Sequence, residues 1–370
     1  EGTGALITRA SLDRHPEAKR LKTSKAIYEH VTGEGQAILS QDVALDSRFN
    51  DAGSSSDSQV CTMMCVPLLN SQRRPVGILQ LDTRDEKGRF EQEDLDFLVA
   101  VAGPVSMAVE NARLHEVELR QQMMEQEARD AGAVQRALIA EDKPVVAGYV
   151  FHDHYEPAQS VGGDYFDYRP FPDQSGGPAT RWAIALGDVA GKGMPAALIM
   201  ARLSSEVRLL VQAEQDPSRV VEALNRNHYA SGTDKFITFL LVALDAERHE
   251  LTVVNAGHMG PLIRRADGRI EEIGSDWGGL PLGIVKAQTY RACTVPIHVG
   301  DVAILYTDGV SEAMDLDERQ FGIVRLTRAI AAARPGAGAT QEAILAAVRD
   351  HAGGRDRYDD ITLLCFGRVS

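Results

Sequence analysis

Four stretches of the chain carry aspartates beside apolar runs, the arrangement by which strand ends gather carboxylates. Asp188 follows the run 182–186 in WAIALGDVAGKGMPAAL, ahead of glycines at 191 and 193 and of Pro195, which suits a first helical turn. Asp308 ends the run 302–305 in VAILYTDGVSEA, Asp359-Asp360 opens the run 361–366 in YDDITLLCF, and Asp164 lies in SVGGDYFDY. Aspartate is a poor strand residue, and a buried charge without a partner is costly. Two bare carboxylates ~4 Å apart would repel by roughly 4 kcal/mol at an effective dielectric near 20. A divalent cation removes that repulsion, and an all-oxygen donor set suits Mg²⁺ or Mn²⁺. Taken singly, each aspartate also fits a turn cap. The metal reading therefore requires the strand ends to converge.

The elements that must bring them together read as an α+β fold. Apolar runs predict strands over 149–155, 165–168, 181–186, 236–244, 251–255, 261–265, 290–295, 302–306 and 361–366. Helical periodicity covers 194–211, 217–229, 321–333 and 340–351. Early and late strands with helices between them predict two packed antiparallel sheets flanked by helices.

VGGDYFD, GDVAGKGMPAAL, NAGHMGPL, TDGVSEA and DDIT follow one another in the order typical of SpoIIE-type phosphatases, the bacterial branch of the metal-dependent PPM serine/threonine phosphatases. The resemblance covers roughly residues 143–370 and implies an α-β-β-α layering. It also implies two divalent cations, Mn²⁺ or Mg²⁺, holding a water or hydroxide that attacks phosphoserine or phosphothreonine in line. By position, Asp188 matches the ligand shared by both ions and Val189 a backbone carbonyl ligand. Asp308 and Asp359 match carboxylates of the second ion, and Asp164 an acidic ligand or water-holder. Asp360 is the less favoured of its pair. Asp188, Asp308 and Asp359 are thus the catalytic candidates, acting through the activated water. The histidine that eukaryotic members carry two residues after the shared aspartate is Ala190 here, and their phosphate-binding arginine has no match. Lys192 is either a phosphate-attracting side chain or an exposed turn lysine, and His258 either borders the cleft or holds a turn. Residues 187–192 are no P-loop, because too few residues separate the glycines and Gly193 stands where a Ser/Thr belongs.

At 370 residues the chain is long enough for two or three domains, and its formal net charge of −14 argues against nucleic-acid or anionic-membrane binding. No apolar stretch approaches the ~20 residues expected of a membrane span. Cys61, Cys65, Cys293 and Cys365 show no zinc spacing and read as reduced core or surface thiols, so a cytoplasmic location is expected.

Residues 1–112 form the first unit. Helix over 24–30, strand over 36–41, a polar serine-rich loop over 46–58, and strands at 61–69 and 76–81 precede a long helix from residue 90. The pieces ILSQDVALDSRF, MMCVPLLNSQRRPVGILQLD and RFEQEDLDFLVAVAGPVSMAVENARL resemble a GAF domain, a sensor of small molecules. That family opens with a helix and two strands not matched here, so the chain is expected to begin inside the domain, with an incomplete pocket and an unidentified small-molecule or protein signal. Cys61, Met63, Met64 and Cys65 read as core packing rather than a redox centre. Residues 113–142 continue the helix as a linker. Val105, Val109, Ala112, Leu119, Met123, Ala133 and Ala137 make an imperfect coiled-coil seam that predicts a parallel homodimer, against one helix packed on its own domains. Residues 143–370 form the phosphatase-like domain. Its expected partner is a phosphorylated protein, by resemblance an anti-sigma-factor antagonist. The competing reading is a catalytically inactive sensor and dimerisation scaffold.

Overall fold

The computed structural model describes residues 10, 12, 25–42, 46, 62–85, 87–139, 143–172 and 179–370. Cys61 and most of the serine-rich loop lie outside them. The chain divides into two compact units, Glu1–Gln122 and Met123–Ser370.

In the first unit, α1 (Lys25–Glu34) precedes the antiparallel sheet β1 (Ile38–Ser40), β2 (Thr62–Leu69) and β3 (Pro75–Thr83). The period-2 alternation of β2 builds a core on each face. Met63 and Cys65 pack with Ile27 and Val31 of α1, whereas Met64, Val66 and Leu68 meet Leu95, Leu98 and Ala102 of α2 (Gln92–Arg136). Burial pushes the Cys65 thiol up to about 12, so it is a packed, inert side chain. The β2–β3 turn is set by Asn70, whose Oδ1 accepts from the amides of Gln72 and Arg74 at 3.0 and 2.8 Å.

Helix α2 runs on past Pro104 and stops at Arg136, short of the expected linker end at 142. Contrary to the sequence expectation, it is long and apolar enough over part of its length to cross a membrane. Three of its apolar side chains are nevertheless committed to the first unit's core. Its seam residues Val109, Leu119 and Met123 are exposed.

The second unit is a sandwich of two five-stranded antiparallel sheets. One has the order β10 (Ile270–Glu272), β9 (Leu262–Arg264), β12 (Val302–Tyr306), β13 (Ile361–Arg368), β4 (Tyr149–Glu156). The other runs β11 (Ala292–Pro296), β8 (Glu250–Ala256), β7 (Ile237–Asp245), β6 (Arg181–Val189), β5 (Asp164–Pro170). Strand β13 shows why the layers form. Leu364 and Phe366 enter the core shared by the sheets, while Ile361, Leu363 and Cys365 enter a second core under the helices α6 (Gly322–Ala332) and α7 (Ala337–Ala352). Buried on both faces, such strands read as continuous apolar runs. On the opposite side, α3 (Met194–Ala213) and α4 (Pro217–Ala230) cover the β5–β8 sheet through Met200, Leu203, Val207 and Leu224. Asp216 caps α4 by accepting from the Ser218 amide at 2.9 Å.

Candidate metal centre

The sheet register places two of the four aspartates side by side, since Asp164 of β5 is the direct partner of Asp188 of β6. The other sheet contributes the rest. Asp308 begins α5 (Asp308–Ser311), a single turn immediately after β12, and Asp359-Asp360 leads into β13, the neighbour of β12. Four strand ends therefore deliver carboxylates to one end of the sandwich. Asp164 is buried, and Asp188, Asp308 and Asp359 are half-buried.

These groups sit uneasily together. Burial, then the charges of Asp308, Asp359 and Asp360, push the Asp188 carboxyl up to about 7, with Lys192 opposing. Burial and Asp359 push Asp308 up to about 6. Asp164 is raised well above the ordinary carboxyl range by burial and by Asp188, although the hydroxyls of Thr307 and Thr362 both donate to its Oδ2. Among the described residues, no three acidic, histidine or cysteine side chains are drawn tightly enough together to hold an ion as they stand. The donor chemistry nonetheless fits a hard divalent cation: acidic oxygens, buried and crowded enough that Asp164, Asp188 and Asp308 resist ionisation. The Val189 carbonyl adds an oxygen at the same end, where a Cβ on Gly163 would come within 3.1 Å of it.

Asp360 has a different task. Its oxygens accept from the amides of Ala158, Gly163 and Asp164 at 2.8, 2.7 and 3.4 Å, tying segment 158–164 to the start of β13. Glycine is required beside it. A Cβ on Gly162 would overlap the Asp360 carboxylate and the Tyr155 hydroxyl, and one on Gly309 the Asp360 carbonyl. Segment 158–164 is gripped from its other side by α2. Gln135 donates through Nε2 to the Gly162 carbonyl at 2.6 Å and accepts the Gly162 amide at 3.0 Å, while Gly132 lies so close to Ser160 that a Cβ would strike its carbonyl.

A cleft lined by Gln159, Gly163, Asp188, Lys192 and Asp359 opens on the cluster. Lys192 lies 3.0 Å from Asp359 Oδ2, and Ala190 offers no side-chain donor. His258 is a structural clamp. Its Nε2–H donates to the Tyr306 carbonyl at 3.2 Å, which leaves Nδ1 to accept from Thr238 Oγ1 at 2.8 Å. Its backbone pairs reciprocally with the Asn255 amide at 2.8 and 3.0 Å, and burial lowers the ring to about 4. The ring thus stays neutral and joins the two sheets.

Sequence reasoning overlooked Thr307, Thr362, Gln135 and Lys235. The threonines stand within the TDG and DDIT words themselves, a signal available in the sequence. Gln135 had none, since its partner is 27 residues away. Lys235 comes so close to Gly191 that its ammonium would overlap a Cβ there.

A two-sheet sandwich between helical layers, with acidic strand ends at one rim, defines the PP2C class of phosphatase fold. The SiaA PP2C domain of Pseudomonas aeruginosa shares it at TM-score 0.57 and 24% identity, covering 67% of this chain and 98% of that one. The family model of Stage II sporulation protein E (SpoIIE) matches residues 178–369, just over half of the chain, and that of the GAF domain residues 5–109. The chain belongs to the SpoIIE family, with a GAF domain ahead of the phosphatase-type domain. It is 30% identical to the phosphoserine phosphatase RsbU of Bacillus subtilis over 224 residues, 59% of this chain and 62% of that protein. The RsbU and RsbW domains of a Mycobacterium tuberculosis protein align at 26% identity and TM-score 0.51, over 61% of each chain. The chain spans less than two thirds of the curated relatives it matches.

Proposed function

We propose that this protein hydrolyses phosphoserine or phosphothreonine on a partner protein, with two divalent cations, Mn²⁺ or Mg²⁺, as cofactors. The observation that carries the reading is the delivery of Asp164, Asp188, Asp308 and Asp359 to one rim by four separate elements. Asp188, Asp308, Asp359, Asp164 and the Val189 carbonyl would hold the ions. When bound, the ions supply water activation and charge screening at the phosphate. The residues of the chain do the positioning. Thr307 and Thr362 orient Asp164, Asp360 fixes the segment behind it, and the cleft leaves the phosphate reachable from solvent. His258 does not protonate the leaving oxygen, because both ring nitrogens are engaged. Ala190, beside the site, offers no proton either.

The similarity to RsbU supports a phosphoserine-bearing regulatory protein as substrate, and an anti-sigma-factor antagonist is the proposed one. Sensor control is proposed to run through α2, whose last turn grips Gly162. The sequence points to a stripe of Val134, Leu138 and Ile139 for this contact, but Val134 is 68% exposed. Ile139 is buried in the core that Met200 and Leu203 of α3 also line, and the Leu138 carbonyl accepts from Ser204 Oγ at 3.1 Å and Arg208 Nη2 at 2.7 Å. The exposed seam of α2 is the proposed homodimer surface.

The test incubates the full chain with phosphorylated antagonist proteins in Mn²⁺ and in EDTA. Mn²⁺-dependent release of phosphate is expected. Turnover that persists in EDTA overturns the metal reading, and none in Mn²⁺ favours the scaffold.

A further inference from the structure

We propose that Lys192 is an exchangeable cation of this site: in the metal-free chain its ammonium neutralises Asp359, and once metal ions take Asp359 it is handed to the substrate phosphate. The inference rests on the phosphatase reading and gives that site a phosphate-binding residue.

Among the described residues, the Lys192 ammonium is held by residues 358 and 359. It lies 3.0 Å from Asp359 Oδ2, donates to the Tyr358 carbonyl, and sits 3.6 Å from the centroid of the Tyr358 ring. Neither member of the ion pair is deeply buried, with side-chain exposures of 34% and 35%, so the pair can open without a desolvation barrier. The residues flanking Lys192 explain its reach. Gly191 and Gly193 have φ of 99° and 75°, a left-handed backbone on both sides that turns the lysine back over the cleft. A compact ammonium on a four-carbon stem can swing between partners in a way that a planar, two-pronged guanidinium cannot.

The charge balance of the cleft requires such a movement. Lys192 is the only basic residue among the described residues lining it. Without metal, it is paired with Asp359. A divalent cation bound to Asp359 repels the ammonium and competes for the same oxygen. The released Lys192 then borders the cleft without an anionic partner, where a phosphate dianion supplies one. The phosphate-binding arginine of the eukaryotic PPM members has no match here, and Lys192 fills that role from a different position.

The test uses Lys192→Met, which preserves length and removes charge, in the full chain. Mn²⁺ affinity is measured by calorimetry, and inorganic phosphate affinity in the Mn²⁺-saturated protein. Loss of the competing charge should tighten Mn²⁺ roughly fivefold, the scale of a half-exposed ion pair. Phosphate should weaken about tenfold, the scale of one charge-assisted hydrogen bond. Unchanged or weaker Mn²⁺ binding, or unchanged phosphate binding, overturns the exchange. Absence of Mn²⁺ binding in the unmutated chain would instead sink the phosphatase reading on which the exchange depends. Should Lys192→Met lower the melting temperature, Tyr358→Leu carries the test, because it keeps both charges and removes only the ring. Mn²⁺ should then tighten about twofold with phosphate unchanged. No change in Mn²⁺ affinity there overturns the proposal.

Discussion

Asp164 and Asp167 lie three residues apart on β5, on opposite faces, and both are buried. Asp167 is fully compensated: Arg169 and Arg208 donate to it at 2.8 and 3.0 Å, joined by the Tyr165 hydroxyl at 3.2 Å and the Tyr168 amide at 2.8 Å. Asp164 receives two threonine hydroxyls but faces the carboxylates of Asp188 and Asp360. One strand thus carries a charge completed by the protein and, on its opposite face, a charge that the proposed metal ions would complete. Buried charge alone does not mark a functional site. Buried charge with its counter-charge withheld does.

The sharpest test of this contrast is Asp188→Asn. Hydrolysis should fall by about 10³-fold or more, because this carboxylate is the one proposed to serve both ions. The melting temperature of the metal-free protein should hold or rise, since a source of repulsion is removed. A folded variant with near-normal turnover would break the comparison. Asp167→Asn should do the opposite, leaving Mn²⁺ affinity in place while costing about 2 kcal/mol of stability in urea unfolding, as two arginines lose their shared partner.

The pH dependence separates the two faces further. Asp188 at about 7 and Asp308 at about 6 stand above their ordinary value of 3.8, so the metal-free native state binds protons more tightly than the unfolded chain. Their contribution is present at low pH and lost as pH rises from about 4 through 7. The metal-free melting temperature should therefore carry a falling component over that window, and saturating Mn²⁺ should abolish it. Mn²⁺ affinity should rise over the same window, read by calorimetry at fixed ionic strength. The smallest effect is expected at the neighbouring pair. Asp359→Asn should weaken Mn²⁺ and be partly rescued by excess metal. Asp360→Asn, which still offers an amide oxygen to the segment 158–164, should cost about 1 kcal/mol of stability and less activity. The reverse ranking would show that Asp360 is the ligand.

The sequence made β6 and β12 legible because each is an apolar run closed by an aspartate, although β6 continues through Asp188 to Val189 and Asp308 opens α5. Strand β13 was equally clear, since both faces are buried and the run has no gaps. Strand β10 and helix α5, of three and four residues, are too short to show any period. The compensation of Asp167 was invisible for a different reason: Arg208 is 41 residues distant and meets it only because α3 folds back over β5. The same holds for Thr362, which reaches Asp164 across 198 residues of chain. Local pattern reveals which strands exist, whereas the partners of a buried charge depend on which strands become neighbours.

The grip on Gly162 and Gly163 gives the molecule two adjacent clocks. The Gly162 amide is protected by Gln135 of α2 and the Gly163 amide by Asp360 at the start of β13. Each can exchange its hydrogen with solvent only when its own partner lets go. Neighbours in sequence, they report on separate openings, one at the helix and one at the rim of the sandwich. A site loosened from the helix side would speed exchange at Gly162 first, and one loosened from within would speed Gly163, so their order would tell from which wall the segment is released.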